Sequence, residues 1–181
     1  MSRKSPLYFL LSLPLLAILA SCSGSSESRN SATEGFRREV ETAARGLVAS
    51  LADPMARGDR AAVRKILAAD SAKARSDAKA AGRQVIVLDR KGVVYECDVP
   101  FVCDAPRDYS RSDIFARALK GKTGSHGKIY AANDKELFLV LTPIPKEGEK
   151  NGLLGIVYDA ELVRRERGVQ EKEFLAMTFS P

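Results

Sequence analysis

Histidine and cysteine are scarce in this chain of 181 residues, which has one of the former and three of the latter. A single histidine, His126, is a poor basis for a metal site, and no Gly-x-Ser-x-Gly sequence is present to hold a hydrolase nucleophile. No Cys-x-x-Cys-His sequence supports covalently attached haem, and no pair of carboxylates stands out for acid–base chemistry. We therefore expect a protein that is not an enzyme and that holds no metal or cofactor.

Long apolar runs are also missing. The longest, LYFLLSLPLLAILA at residues 7–20, is shorter than the roughly 20 residues that a membrane-spanning helix needs, and Pro14 interrupts it. It follows Arg3 and Lys4 and ends in small residues, which is the pattern of a signal peptide.

The end of this run, Leu19-Ala20-Ser21-Cys22, resembles the lipobox of bacterial lipoproteins. The resemblance implies a signal peptide over 1–21 and a mature chain that starts at a lipidated Cys22. A diacylglyceryl group plus an amide-linked acyl chain such as palmitate would anchor it stably in the membrane. It also implies a place in the cell envelope facing the periplasm, with Ser23 favouring the outer over the inner membrane. An ordinary cleavable signal with a chance cysteine is the alternative.

Charge limits the partners. Loss of Arg3 and Lys4 with the signal peptide lowers the 29 basic residues to 27, against 23 acidic ones. This mild excess is not the signature of a dedicated nucleic-acid binder, so no nucleic-acid partner is expected. The remaining length and 45% hydrophobic residues suit one globular domain.

The segment after Cys22 has no apolar periodicity. Residues 22–35 are rich in serine and glycine, which predicts a flexible tether, with the domain spanning 36–181. Helical spacing begins with Phe36, Val40, Ala44, Leu47 and Leu51.

Two breaks are expected in this helical region, at Asp53-Pro54 and at Gly58-Asp59, before a second helical stripe that ends by Gly82. Arg57, Arg60 and Arg64 share the opposite side of this stripe. That row is expected to be solvated, the alternative being contact with anionic headgroups or an acidic partner.

A strand pattern follows Gly82. Residues 85–88, VIVL, are typical of a strand covered on both faces, and a tight turn at 89–92 leads back through 93–96. A short helix at 114–119, three strands near 127–131, 136–143 and 153–158, and a final short helix at 160–167 complete the pattern. The tail, 168–181, either adds an edge strand or covers the core.

This order of elements predicts an α+β fold in which a long N-terminal helix packs on a five-stranded antiparallel sheet. The helix would cover one face of the sheet. The segment 97–121 would cover the other face and leave a cavity beneath it for a small molecule.

Four segments resemble the Cache family of extracellular PAS-like sensor domains: 85–94 its first hairpin, 114–121 its helix-to-strand segment, and 139–144 and 152–157 its closing strands. The resemblance covers about 40–165 and implies a single Cache-like domain that binds a small ligand outside the cytoplasm. Amino-acid-binding members place an arginine and an aromatic residue before that helix. Those positions fall here on Ser112 and Ile114, with Arg111 adjacent, so an amino-acid ligand is not implied.

Polar side chains near the expected cavity are candidates for ligand contacts. His126, Lys128 and Tyr130 alternate and so share one face of the third strand, which is either the cavity or the solvent side. Others lie on the covering segment or carry a hydroxyl that can point inward from a strand. The full set is Tyr95, Arg107, Tyr109, Arg111, His126, Lys128, Tyr130, Thr142 and Tyr158.

Cys97 and Cys103 are close enough in sequence to pair in an oxidising compartment. A structural disulfide, which would stabilise by about 2 kcal/mol in the chain-entropy model, is favoured over a redox-sensing pair or metal ligation.

Three functions remain in view. The favoured one is a lipid-anchored sensor that captures a small, carboxylate-bearing metabolite and relays its occupancy to a membrane-bound signalling partner. The second is a ligand-free interaction or scaffolding lipoprotein with a filled core. The third is a thiol-redox sensor.

Overall fold

A computed structural model describes residues 24–77, 82–98, 108–121, 124–131, 133–146 and 149–180. Its helices are α1 (Gly24–Arg57), α2 (Arg60–Ser76), α3 (Asp113–Lys120), α4 (Ala160–Leu162), which continues as a π-helical turn (Val163–Arg167), and α5 (Glu171–Ala176). Its strands are β1 (Arg83–Leu88), β2 (Val94–Cys97), β3 (Ser125–Tyr130), β4 (Glu136–Lys146) and β5 (Glu149–Asp159). No described helix is long and apolar enough to cross a membrane.

The five strands form one antiparallel sheet in the order β2-β1-β5-β4-β3. The predicted fold class is therefore confirmed. The longest ladder joins β4 to β5, and β1 pairs with β5 along its whole length. The three interior strands, β1, β5 and β4, therefore each lie between two hydrogen-bonded neighbours.

One face of the sheet is covered by α1, α2 and the C-terminal part of the chain. The predicted stripe of α1, from Phe36 to Leu51, is buried against residues such as Val87, Val140 and Ile156. This side is called the helix face below.

The opposite face is covered by α3. Ile114 and Phe115 pack on strand residues that include Leu139 and Leu141, all of them buried. Contact is close: a Cβ at Gly127 would lie 2.6 Å from Ile114 Cδ1. This side is called the α3 face.

Two local predictions differ from the structure. No break occurs at Pro54, which lies inside α1. Proline cannot donate the helical hydrogen bond, but Pro54 is buried beside Leu51 and Met55, and this packing compensates. The second predicted break, at Gly58-Asp59, does occur: Gly58 has a φ of +67°. The structure adds that Asp59 is the N-cap of α2 and accepts a hydrogen bond from the amide of Ala62.

The predicted tether is helical from Gly24 onward. Its serines, glutamates and arginines are compatible with a helix, and Glu34 pairs with Arg37 one turn later at 2.6 Å. The buried part of α1 nevertheless begins at Phe36, the predicted start of the domain.

Gly155→Ala is expected to destabilise the protein, because the added methyl would lie 2.5 Å from Ile86 Cγ1 and 3.1 Å from Leu141 Cδ2. Overpacking of this kind costs about 1–3 kcal/mol of the free energy of unfolding. In the matched change Gly46→Ala the methyl meets nothing within 4 Å. That change should stabilise by about 0.5–1 kcal/mol, since glycine is a poor helix former. Urea denaturation measures the change in the free energy of unfolding for each variant. Equal changes in the two variants would contradict tight packing on the α3 face.

Candidate functional site

The space under α3 was the predicted site, and its described part is filled by apolar side chains. Ile86, Leu88, Leu141 and Leu153 reach it from the sheet and are at most 3% exposed. Tight contact on this face follows from the β-branched and leucine-rich strands, which need cover as much here as on the helix face. Any ligand that enters beneath α3 must therefore move it.

The described part of the cover is fastened to the first hairpin. The amide of Tyr109 donates to the Gly92 carbonyl at 2.8 Å, and Val93 forms a β-bridge with Asp108. The Tyr109 ring packs against the apolar α3 face, whereas Arg111 is exposed. Gly92 has a φ of +87°, as the predicted turn requires.

Some predicted site residues fall outside the described part of the chain. Arg107 and Cys103 are among them. Cys97 is buried at the end of β2 and is 6% exposed. Because Cys103 lies outside the described residues, the pairing of the two cysteines stays a prediction. The signal peptide and Cys22 lie outside the described residues as well.

His126, Lys128 and Tyr130 share one face of β3, as their alternation predicts. His126 lies opposite Val140 and Lys128 opposite Phe138, so this is the helix face. The tail covers it: α5 contacts β3, and Phe174, Met177 and Phe179 are buried in the helix-face core. The tail thus covers the core, one of the two predicted alternatives.

His126 holds this tail in place. Its Nε2 atom lies 3.2 Å from the carbonyl oxygen of Leu175, and its ring meets Phe174 and Phe179 edge-on at centroid distances of 5.3 and 5.1 Å. Burial lowers the pKa of His126, the hydrogen bond to Leu175 opposes the shift, and the nearby charge of Arg117 adds to it.

Lys128 is the centre of a charge cluster at the same edge. Its Nζ atom lies 2.9 Å from Glu171 and 3.2 Å from Glu136, and Glu136 also pairs with Arg164 at 2.9 Å. These contacts raise the pKa of Lys128, and the hydrogen bond that it donates to Glu171 contributes most. The lysine therefore links β3, β4 and α5, while Tyr130 beside it is 56% exposed.

The three residues that were expected to point a hydroxyl inward from a strand also lie on the helix face. Thr142 is buried opposite Leu154, and Tyr95 packs at the margin of the helix-face core beneath the Arg60 guanidinium. Tyr158 is 2% exposed and meets Phe36 edge-on at 5.1 Å. Burial raises the pKa of Tyr158, so its hydroxyl stays protonated.

The predicted ligand residues are thus divided between the two faces of the sheet. Tyr95, His126, Lys128, Tyr130, Thr142 and Tyr158 are on the helix face, and Tyr109 is on the other. Because the sheet separates the two groups, they cannot all contact one small ligand. A role in binding remains a prediction for each of them.

The arginine row of α2 has a structural partner that the sequence did not reveal. Glu96 on β2 is only 4% exposed, and Arg60 and Arg64 approach its carboxylate at 3.3 and 3.1 Å. A register shift between Val87 and Leu88 displaces β2 so that Glu96 lies opposite Val87 on the helix face. The row is therefore only partly solvated, with both arginines more than half exposed.

A groove of about 770 Å³ lies between α1 and α2. Small residues of α1 line one wall, among them Gly35, Thr42, Gly46 and Ser50. Residues of α2 from Ile66 to Ala74, with Asp77 just after its end, line the other. Sequence reasoning missed it, because a stripe of small and charged residues is also what a solvated helix surface shows. The available signal was the placement of two glycines inside a helix.

Arg83, the first residue of β1, also lines the groove. Its Nη2 atom donates to both carboxylate oxygens of Asp70 at 2.8 Å, and its side chain is 9% exposed. Its buried Nε atom has no hydrogen-bond acceptor among the described residues. A buried donor left in this way costs about 1–3 kcal/mol.

Comparison by sequence finds no match, either to a protein-family profile or to a curated protein. Among solved structures, the chain is similar to the sensory domain of the Campylobacter jejuni chemoreceptor Tlp3 (CcmL), with a TM-score of 0.59 and 18% identity over 77% of this chain. It is also similar to the extracellular domain of a protein assigned as the histidine kinase vpHK1S-Z8, with a TM-score of 0.62 and 16% identity over 83% of this chain. A domain of a sensory box/GGDEF family protein from Vibrio parahaemolyticus gives a TM-score of 0.63 and 16% identity over 83%.

The chain spans 59, 61 and 64% of the length of these three domains. At such identities the likeness establishes the fold. The expected resemblance is confirmed at that level: the chain has a Cache-like sensor-domain fold.

The His126 contact predicts a pH dependence of stability. The pKa of His126 in the folded protein is below that of the unfolded chain, near 6.5, so the unfolded state binds more protons as the pH falls. The contribution of His126 to the free energy of unfolding should therefore be constant above about pH 7.5 and decrease as the pH falls through about 6.5.

Urea denaturation of the wild type and of His126→Gln across this pH range isolates the effect, because other groups titrate in both proteins. The difference in the free energy of unfolding between the wild type and His126→Gln should narrow or reverse toward acid pH. A difference that does not change with pH would contradict the assignment.

Proposed function

We propose that the chain is an extracytoplasmic sensor module, held to the membrane by lipid at Cys22, that captures a small molecule and relays its occupancy to a membrane-bound partner. One observation carries the proposal: its β2-β1-β5-β4-β3 sheet, with a long helix on one face and a short helix on the other, matches extracellular sensory domains. Structures of the Tlp3 domain include complexes with isoleucine and with L-valine.

The cover that holds α3 is the element best placed to respond to a ligand on the α3 face. It is closed on the sheet in its described part, so a ligand that enters there must stabilise a more open arrangement. Binding then shifts the population of cover positions in proportion to its differential affinity for the two arrangements. The partner would read the changed surface around α3 and the first hairpin.

The functional groups of this small-molecule ligand are constrained by few residues. Ser112 and Ile114 stand where amino-acid-binding relatives have an arginine and an aromatic residue, and Arg111 beside them is exposed. A carboxylate-bearing metabolite remains the first choice, since Arg111 is available to pair with it once the cover moves.

A second function is supported by a specific observation. The packed apolar side chains beneath α3, and the short approach of Ile114 to Gly127, are what a ligand-free interaction lipoprotein would have. In that case the covers are structural, and the exposed surface alone contacts envelope partners.

A ligand screen separates the two functions. For the chain without residues 1–22, at least one class of small metabolites, carboxylates first, should raise the midpoint of thermal unfolding. A ligand at about 100 times its dissociation constant adds about 2.7 kcal/mol to the free energy of unfolding. Arg111→Ala should reduce the shift by a carboxylate, and Arg57→Ala, an exposed arginine of the same size on α1, should not. A screen in which no class stabilises the protein would favour the interaction lipoprotein.

The lipid anchor is tested separately. Cys22→Ala should abolish incorporation of labelled palmitate and release the protein from the membrane fraction, because the thiol is the site of acylation. Metabolic labelling and fractionation measure both, and Cys97→Ala is the matched control that should keep the label. Unchanged labelling of Cys22→Ala would rule out the anchor.

A further inference from the structure

The walls of the groove between α1 and α2 differ along its length. Near the connection at Gly58 they carry neutral side chains such as Leu47, Ser50 and Ile66. Farther from it the lining residues are charged, with Arg38 and Glu39 on α1, Lys73 on α2, and Asp77 just after the end of α2. The groove is thus apolar at one end and charged at the other.

The charges of the lining cancel. Three bases, Arg38, Lys73 and Arg83, stand against three acids, Glu39, Asp70 and Asp77. A groove of this kind attracts neither a simple anion nor a simple cation. It suits a molecule that carries charges of both signs with an aliphatic part between them.

Two glycines keep the α1 wall open. Gly35 and Gly46 lie within α1, where glycine is a poor helix former, and a Cβ at either position would meet nothing within 4 Å. Packing inside the molecule therefore does not require them. The missing side chains leave the groove wider along α1. Its volume of about 770 Å³ is in the range of small-molecule sites.

Arg83 is a second, independent sign of a ligand. Its side chain is more than nine-tenths buried, lines the groove, and has an Nε atom without an acceptor among the described residues. A small shift of this side chain toward the groove would give that N–H an acceptor on an incoming carboxylate. Asp70, which the same guanidinium already holds, can remain as the partner of Nη2 or of an incoming ammonium.

We propose that the groove between α1 and α2 binds a small amphipathic zwitterion with an aliphatic body, for which a short aliphatic peptide with free termini is the probe. The aliphatic part lies against Leu47 and Ile66, and the termini reach the charged end, the carboxylate toward Lys73 and Arg83. This site is separate from the space under α3, and the inference does not rest on the proposed function.

The test uses the detergent-solubilised full-length chain and the tripeptide Ala-Val-Ala, with its N-acetyl form and its C-terminal amide as capped probes. Isothermal titration should show binding of the free peptide, and blocking either terminus should weaken it by about tenfold or more, as expected for loss of a charge-assisted hydrogen bond. Backbone NMR shifts on titration should be confined to α1, α2 and the start of β1.

Gly46→Leu places a larger side chain in the groove, at a position where an added Cβ meets nothing within 4 Å. It should weaken peptide binding by about tenfold or more and leave the thermal midpoint unchanged or higher, since leucine is the better helix former. Ala49→Leu adds the same apolar bulk to an exposed position of α1 outside the groove and should bind as the wild type does. Lys73→Gln should weaken the binding of the free peptide but not the binding of its C-terminal amide.

Absence of binding of the free peptide to the wild type would overturn the inference, and so would equal affinity of Gly46→Leu and the wild type. Equal affinity of the free and capped peptides would overturn the zwitterion class. None of these results bears on the metabolite screen, because a ligand under α3 would stabilise Gly46→Leu and the wild type alike.

Discussion

The strands at the centre of the sheet carry apolar side chains on both faces, and each face needs its own cover. In β1, Val85 and Val87 belong to the helix face, and Ile86 and Leu88 to the α3 face, all four at most 3% exposed. A sheet of this kind is stable only as the middle layer of three. The long α1, the short α3 and the tail are the solutions that this chain uses.

The two covers are not equivalent. The helix face is covered by α1 and α2, which are long, apolar along whole stripes, and reinforced by ion pairs such as those of Glu96 with α2. The described part of the other cover is a helix of 8 residues that is held by a few side chains and by the link from Tyr109 to Gly92. Local opening is easiest where few buried contacts must be broken. Among the described residues, the α3 side is therefore the weaker layer.

Much of this fold follows from residue pattern. The continuous apolar run of β1, the helical stripe from Phe36, and the break at Gly58-Asp59 are each decided within a short window of sequence, and all three appear where they are expected. Pro54 and the helical start of α1 are different, since tertiary packing decides the first and local ion pairs of Glu34 support the second. A composition rich in serine and glycine does not prevent a helix that is continued from a stable one.

The surroundings of the candidate site residues could not be predicted from the sequence, for a physical reason. Alternation shows that His126, Lys128 and Tyr130 share a face, but it does not say which layer lies over that face. The answer comes from the tail, whose Phe174, Met177 and Phe179 follow no clear period and are placed only by contacts with the sheet. The groove between α1 and α2 is likewise invisible in either helix alone, since it depends on how far apart the two helices lie.

The tail also joins the far edge of the sheet to α1. Glu41, 9% exposed, accepts hydrogen bonds from Arg37 at 2.8 Å and from the amide of Ser180 at 2.9 Å. A few residues earlier the tail is held by His126 and Lys128 on β3. A displacement of β3 therefore changes the contacts of α1 through the tail as well as through β4 and β5. In the proposed relay, α1 is the described element nearest to Cys22 in the chain, so a change in the sheet would reach the proposed membrane-bound partner through it.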